Sequence, residues 1–83
     1  MTISAYILVE TTPGASKNVL GHFLNMDHIE EAHAVTGPYD AIIKVRAADV
    51  VKLGDMVVAK IQTVTGVLRT TTCICLTEPG HKG

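Results

Sequence analysis

The residues best equipped for chemistry lie in one short stretch, "VTGPYD", residues 35–40. Gly37 can take the left-handed backbone conformation that a tight turn needs, and Pro38 fixes its own φ while removing one backbone donor. The amides of Gly37, Tyr39 and Asp40 are then free to converge. Converging N–H groups at a turn hold a carboxylate, and an acidic side chain beside them holds an ammonium. Those are the two charges of an amino acid, with Asp40 pairing with the ammonium and Tyr39 walling the pocket. The residues alone leave an alternative: Asp40 accepts hydrogen bonds from the turn's own amides while Tyr39 packs at an interface.

Other reactive side chains fit structural roles. Thr70 and Thr72 share one face of the last apolar segment and Thr71 takes the other; their hydroxyls suit a ligand site, and threonine's preference for strands explains them equally well. His22, His28, His33 and His81 lack metal-ligand spacing, since residues five apart in an extended segment face opposite sides, and they read as surface or interface histidines. Cys73 and Cys75, in "CICL", are set as a C-x-C pair, but their apolar frame favours core packing as reduced thiols. Asp27, Glu30 and Glu31 form a solvated edge, with no apolar cleft to separate their pKa values for acid–base work. There is no nucleophile elbow or phosphate-cradling glycine loop. No metal and no cofactor are expected.

The elements that must position these residues follow from periodicity. Residues 3–10 are β-branched and apolar and end at "TTPG", a strand and a turn. Val19, Leu20, Phe23 and Leu24 then make one stripe of a helix over 15–26, capped by Thr12 or Gly14, with Pro13 stiffening its approach. Strands over 29–35 and 41–47 flank the turn as a hairpin. Asp49 is an N-cap for a second helix whose Val50, Leu53, Val57, Ile61 and Val64 fall on one face. Gly66 lies just past its end, and residues 67–77 form the last strand. One domain over 1–78 and a loose tail over 79–83 are predicted. The order β-α-β-β-α-β is that of an α+β, ferredoxin-like sandwich. Both alternating sets of the strands are largely uncharged, as in Ile3, Ala5, Ile7 and Val9 against Tyr6 and Leu8. That pattern predicts burial on both sheet faces, with a second sheet packed face to face in a dimer.

Composition agrees. Of 83 residues, 47% are apolar and 18% charged, too few charges to coat a small sphere, which points to a homo-oligomer. The net charge is −1 and the seven basic residues are scattered, so direct nucleic-acid binding is not expected. There is no basic leader and no apolar run of the roughly 20 residues that span a bilayer, so a cytoplasmic location and no membrane partner are expected.

Three motifs carry a resemblance: "AYILVETTPG" (5–14), "VTGPYDAIIKVRAAD" (35–49) and "GVLRTTTCICL" (66–76). In this order and spacing the whole chain resembles the C-terminal effector domain of the Lrp/AsnC family of amino-acid-responsive regulators. The resemblance implies a ferredoxin-like fold and a dimeric α/β barrel, with dimers assembling into rings, commonly octamers. It also implies an amino acid bound where dimers meet, at Gly37, Pro38, Tyr39 and Asp40, with Thr70 and Thr72 of a Thr-x-Thr pattern taking part. Typical members carry an N-terminal helix-turn-helix domain, whereas Met1 here leads almost directly into the first strand, as in the stand-alone subgroup. The expected function is therefore an amino-acid-binding regulatory module rather than an enzyme. Its rivals are a ligand-independent assembly partner of full-length Lrp/AsnC regulators and a small dimeric-barrel enzyme. For the enzyme, His33 and Tyr6 are the candidates, without a general-base partner.

Overall fold

The computed structural model describes residues 2–77. Strand β1 (Ile3–Thr11) alternates strictly: Ala5, Ile7 and Val9 are fully buried, while Tyr6 stays exposed. Helix α1 (Ser16–Leu24) crosses to β2 (Ile29–Ala34), which turns into β3 (Ala41–Ala47). Helix α2 (Val50–Met56) continues as a π-helical turn (Val57–Ile61) and delivers the chain to β4 (Val67–Ile74). The four strands form one antiparallel sheet in the order β2-β3-β1-β4. This is the ferredoxin-like arrangement that the element order predicts.

The core is the helix-side face of the sheet. Ala5, Ile7, Val9, Ala41, Ile43 and Val45 meet Val19 and Phe23 of α1 and Leu53, Val57 and Ile61 of the second helix. The predicted stripe of that helix is correct at Leu53, Val57 and Ile61, but Val50 is 59% exposed. Val50 is the first residue of α2. Further on, in the π-helical turn, the Gln62 amide donates to the Val57 carbonyl at 2.8 Å, five residues back, and the wider turn keeps Val57 and Ile61, four apart, both facing the sheet.

The helix starts divide. Asp49 caps α2 as predicted, its Oδ1 accepting the Lys52 amide at 2.8 Å. Neither Thr12 nor Gly14 caps α1, whose N-cap is Ala15, with no side-chain bond. The chain enters instead through a backbone turn: the Ala15 amide donates to the Thr12 carbonyl at 3.0 Å, with Gly14 at φ +80. That helix is also shorter than predicted, ending at Leu24.

Strand β4 ends at Ile74, earlier than predicted, although the Cys75 amide still donates to the Ser4 carbonyl at 2.9 Å. As the edge strand beyond β1 it buries none of its residues fully, so Cys73 is exposed and Cys75 half-buried. This corrects the expectation of two core thiols. The open face of the sheet is apolar only in its middle, at Tyr6, Leu8 and Ile42. Around them Lys44, Arg46, Glu10 and Arg69 share that face, and Arg46 pairs with Glu30 at 3.3 Å and Arg69 with Glu10 at 3.6 Å. The two-sided apolar pattern is thus present at the centre of the sheet and absent from its rim. His81, the tail 79–83 and the domain boundary at 78 lie outside the described residues.

Candidate functional site: the turn between β2 and β3

The turn is closed by backbone. The Val35 amide donates to the Asp40 carbonyl at 3.0 Å, and the Asp40 amide donates to the Val9 carbonyl of β1 at 2.9 Å. Gly37 has φ +132, a conformation open to glycine and costly for other residues. A Cβ there would touch nothing within 4 Å, so the need for glycine is conformational. Gly37 and Pro38 are exposed, Tyr39 and Asp40 half-buried.

Asp40 anchors the turn to its neighbour strand. A register irregularity between Glu10 and Thr11 releases the Thr11 amide from the ladder, as bulges do, and Asp40 Oδ2 accepts it at 2.8 Å. Thr11 is 8% exposed, so the bond satisfies a donor that water scarcely reaches. Two corrections follow. The Asp40 amide is not free for a ligand, and the amide its carboxylate holds belongs to β1 and not to the turn. What remains is Asp40 Oδ1 and the amides of Gly37 and Tyr39, none of which is hydrogen-bonded within the described residues.

Thr70 and Thr72 pair with Val9 and Ile7 and share the helix-side face of the edge strand. Thr70 Oγ1 accepts a hydrogen bond from Gln62 Nε2 at 3.0 Å. Gln62 has no part in the sequence-based site. Its only signal is a polar residue directly after the last core position of the helix, and its aim at β4 depends on the π-helical turn before it.

Ala41, Val9 and Thr70 form one row across β3, β1 and β4. With adjacent strands about 4.8 Å apart, Thr70 lies roughly 10 Å from the start of β3. Thr72 lies two residue pairs further from the turn. The six predicted site residues therefore share a region of the sheet, with Thr70 and Thr72 set apart from the turn. Two cavities, of about 750 and 370 Å³, are lined by other residues. Among the described residues no group of three His, Cys, Asp or Glu side chains is placed to hold a metal ion. No helix among them is long and apolar enough to cross a membrane.

Comparison with known proteins adds a family. The model of the Lrp/AsnC ligand-binding domain matches residues 4–82. An uncharacterised HTH-type transcriptional regulator of Pyrococcus furiosus is 30% identical over 74 residues, which are 86% of this chain and 49% of that protein. The structure of Escherichia coli AsnC superposes with a TM-score of 0.89 at 26% identity, covering 98% of this chain and 55% of that one. The complex of the Neisseria meningitidis regulator NMB0573 with L-Met has the same fold, with a TM-score of 0.85 at 17% identity over 95% of this chain and 53% of that one. The chain spans about half the length of the curated relatives it matches. On the match over residues 4–82 and the shared fold, the chain belongs to the Lrp/AsnC family, as its ligand-binding domain.

Proposed function

We propose that this domain binds a small amino acid at the Gly37–Asp40 turn, between subunits, and that binding alters its assembly or its contacts with DNA-binding regulators. The observation that carries the proposal is the half-used Asp40 carboxylate beside two unengaged amides. Asp40 Oδ1 takes the ammonium, and the Gly37 and Tyr39 amides take the carboxylate. Tyr39 covers the ligand. A second subunit completes the pocket, because Pro38 and Gly37 are open to solvent in the single chain and Thr70 and Thr72 stand too far from the turn to reach the same ligand. The relative solved with L-Met supports an amino acid as the ligand class.

The mechanism is linkage. A ligand held between dimers, in an octamer or a smaller ring, stabilises the assembled form by about 2.7 kcal/mol at a hundredfold excess over its dissociation constant. Through the Asp40–Thr11 bond, engagement of the carboxylate is felt on β1, the strand between β3 and the edge. The domain acts in the cytoplasm, on transcription, and through association rather than catalysis. Neither candidate for an enzyme is enclosed: Tyr6 lies 42% exposed on the open sheet face, and His33 pairs with Glu31 at 3.2 Å on the surface of β2.

Calorimetric titration with a panel of amino acids, on the wild type and on Asp40→Asn, tests the proposal. The asparagine keeps an oxygen for the Thr11 amide and removes the charge. Saturable binding in the wild type and a large loss in Asp40→Asn are expected; heatless titrations with unshifted melting temperatures would refute it.

A further inference from the structure

The two borders of the sheet, β2 and β4, are finished differently. Strand β2 carries Glu30, Glu31 and His33 within six residues, and its register breaks between Ile29 and Glu31. Charges and irregularities of this kind keep an edge from pairing with another strand. Strand β4 is not defended in that way: of Val67–Ile74 only Arg69 is charged, and none is proline. Its one irregularity lies at its start, opposite Glu10 and Thr11, so residues 69–75 run unbroken along β1.

The Cys75 amide donates to the Ser4 carbonyl, so Cys75, Cys73, Thr71 and Arg69 turn their backbone groups toward β1. Thr70, Thr72 and Ile74 turn theirs outward. Their amides and carbonyls meet no strand among the described residues, and Ile74 is 39% exposed. Thr72 is the midpoint of the unbroken stretch. An antiparallel copy of β4 placed about a twofold axis there sets Thr72 against Thr72, Thr70 against Ile74 and Thr71 against Cys73. Every outward backbone group of the three residues then has a partner. The facing side chains are β-branched or small, Thr against Thr adds a hydrogen bond, and Arg69 stays far from its mate. The low charge of the chain, 18%, agrees with an edge that a second copy covers. We infer that β4 pairs antiparallel with β4 of a second copy about an axis at Thr72, joining two four-stranded sheets into one of eight. The pairing leaves the turn and the open face of the sheet uncovered, and it is independent of the site proposed at the turn.

The test uses the exposed native thiol of Cys73. One protein is Thr71→Cys/Cys73→Ser/Cys75→Ser and the other is Cys75→Ser, which keeps Cys73. In the pairing, positions 71 and 73 of two copies stand opposite, about 4.5 Å apart at Cα, in a pair without mutual hydrogen bonds. Position 71 and its own mate, or Cys73 and its own mate, are about 8 Å apart, too far for a disulfide. Oxidation with copper–phenanthroline, without amino acid, is expected to give about fivefold or more covalent dimer in the mixture than in either protein alone. Thr72→Lys and Thr72→Glu each place like charges at the axis, so sedimentation velocity should show an assembly mass about twofold or more below the wild type for each, recovered on mixing the two. Circular dichroism checks that each variant is folded. Cross-linking absent from the mixture, or as strong in the separate proteins, overturns the pairing. So does a wild type that sediments as a single chain, or an assembly mass that neither charge changes.

Discussion

At one end of the sheet the chain is held by backbone geometry; at the other, side-chain charges surround an open space. Around the turn, Asp40 ties β1 to the β2–β3 connection through two hydrogen bonds and closes the turn on Val35 with a third, and Gly37 supplies the left-handed residue. Nearby, the Thr12 amide donates to the Gly66 carbonyl at 2.8 Å, where Gly66 has φ +103. The larger of the two cavities, a groove beside the start of β2 bordered by Asp27, Lys52, Asp55 and Lys60, has no such locks. Its lysines and aspartates are exposed and form no ion pair among the described residues, while Arg46 pairs with Glu30. A feature built from backbone is preorganised but hard to alter without cost to the fold, whereas one built from exposed side chains leaves the fold indifferent to its chemistry.

Substitutions probe that contrast in order of size. The largest loss is expected at Gly66, where a Cβ would stand 2.9 Å from Ala15 Cβ and 3.0 Å from Val19 Cγ2 in addition to the positive φ. Gly66→Ala should cost about 2–4 kcal/mol by denaturant unfolding, combining left-handed strain with overpacking. Next comes Asp40→Ala, which orphans the shielded Thr11 amide and should cost about 1–3 kcal/mol, with Asp40→Asn restoring most of it. Equal stability of the alanine and asparagine variants would show that the Thr11 bond does not anchor the turn. Gly37→Ala, strained but unobstructed, should cost about 1–2 kcal/mol. Smallest of all, Lys52→Gln and Lys60→Gln should each stay within about 0.5 kcal/mol of the wild type. A rim substitution as damaging as Asp40→Ala would erase the distinction between the two ends.

Much of the scaffold was legible before any coordinates, for local reasons. Alternation in β1 and β3, the stripe through Leu53, Val57 and Ile61, and Asp49 ahead of α2 all report interactions between residues close in sequence, whose spacing sets which face they occupy. The misses are of another kind. The start of α1 failed because backbone alone closes the Thr12–Ala15 turn, with no side chain to betray it. Cys73 failed because apolar character says nothing about whether a strand lies at an edge. In the candidate site, the glycine at Gly37 and the carboxylate at Asp40 were visible as a turn with a charge. That an Asp40 oxygen accepts the amide of Thr11, 29 positions away, was not.

The order of the residues determined which segments are strands and helices, which side of β1 and β3 meets the core, and where a glycine-bearing turn with an acid falls between β2 and β3. Tertiary structure alone decided how Asp40 divides its hydrogen bonds, that Gln62 reaches Thr70, and that Asp27 shares a groove with Lys60. Periodicity encodes the direction a side chain takes from its own element. Which distant backbone donor or opposing charge it then meets depends on strand order and helix placement, set by the whole core at once.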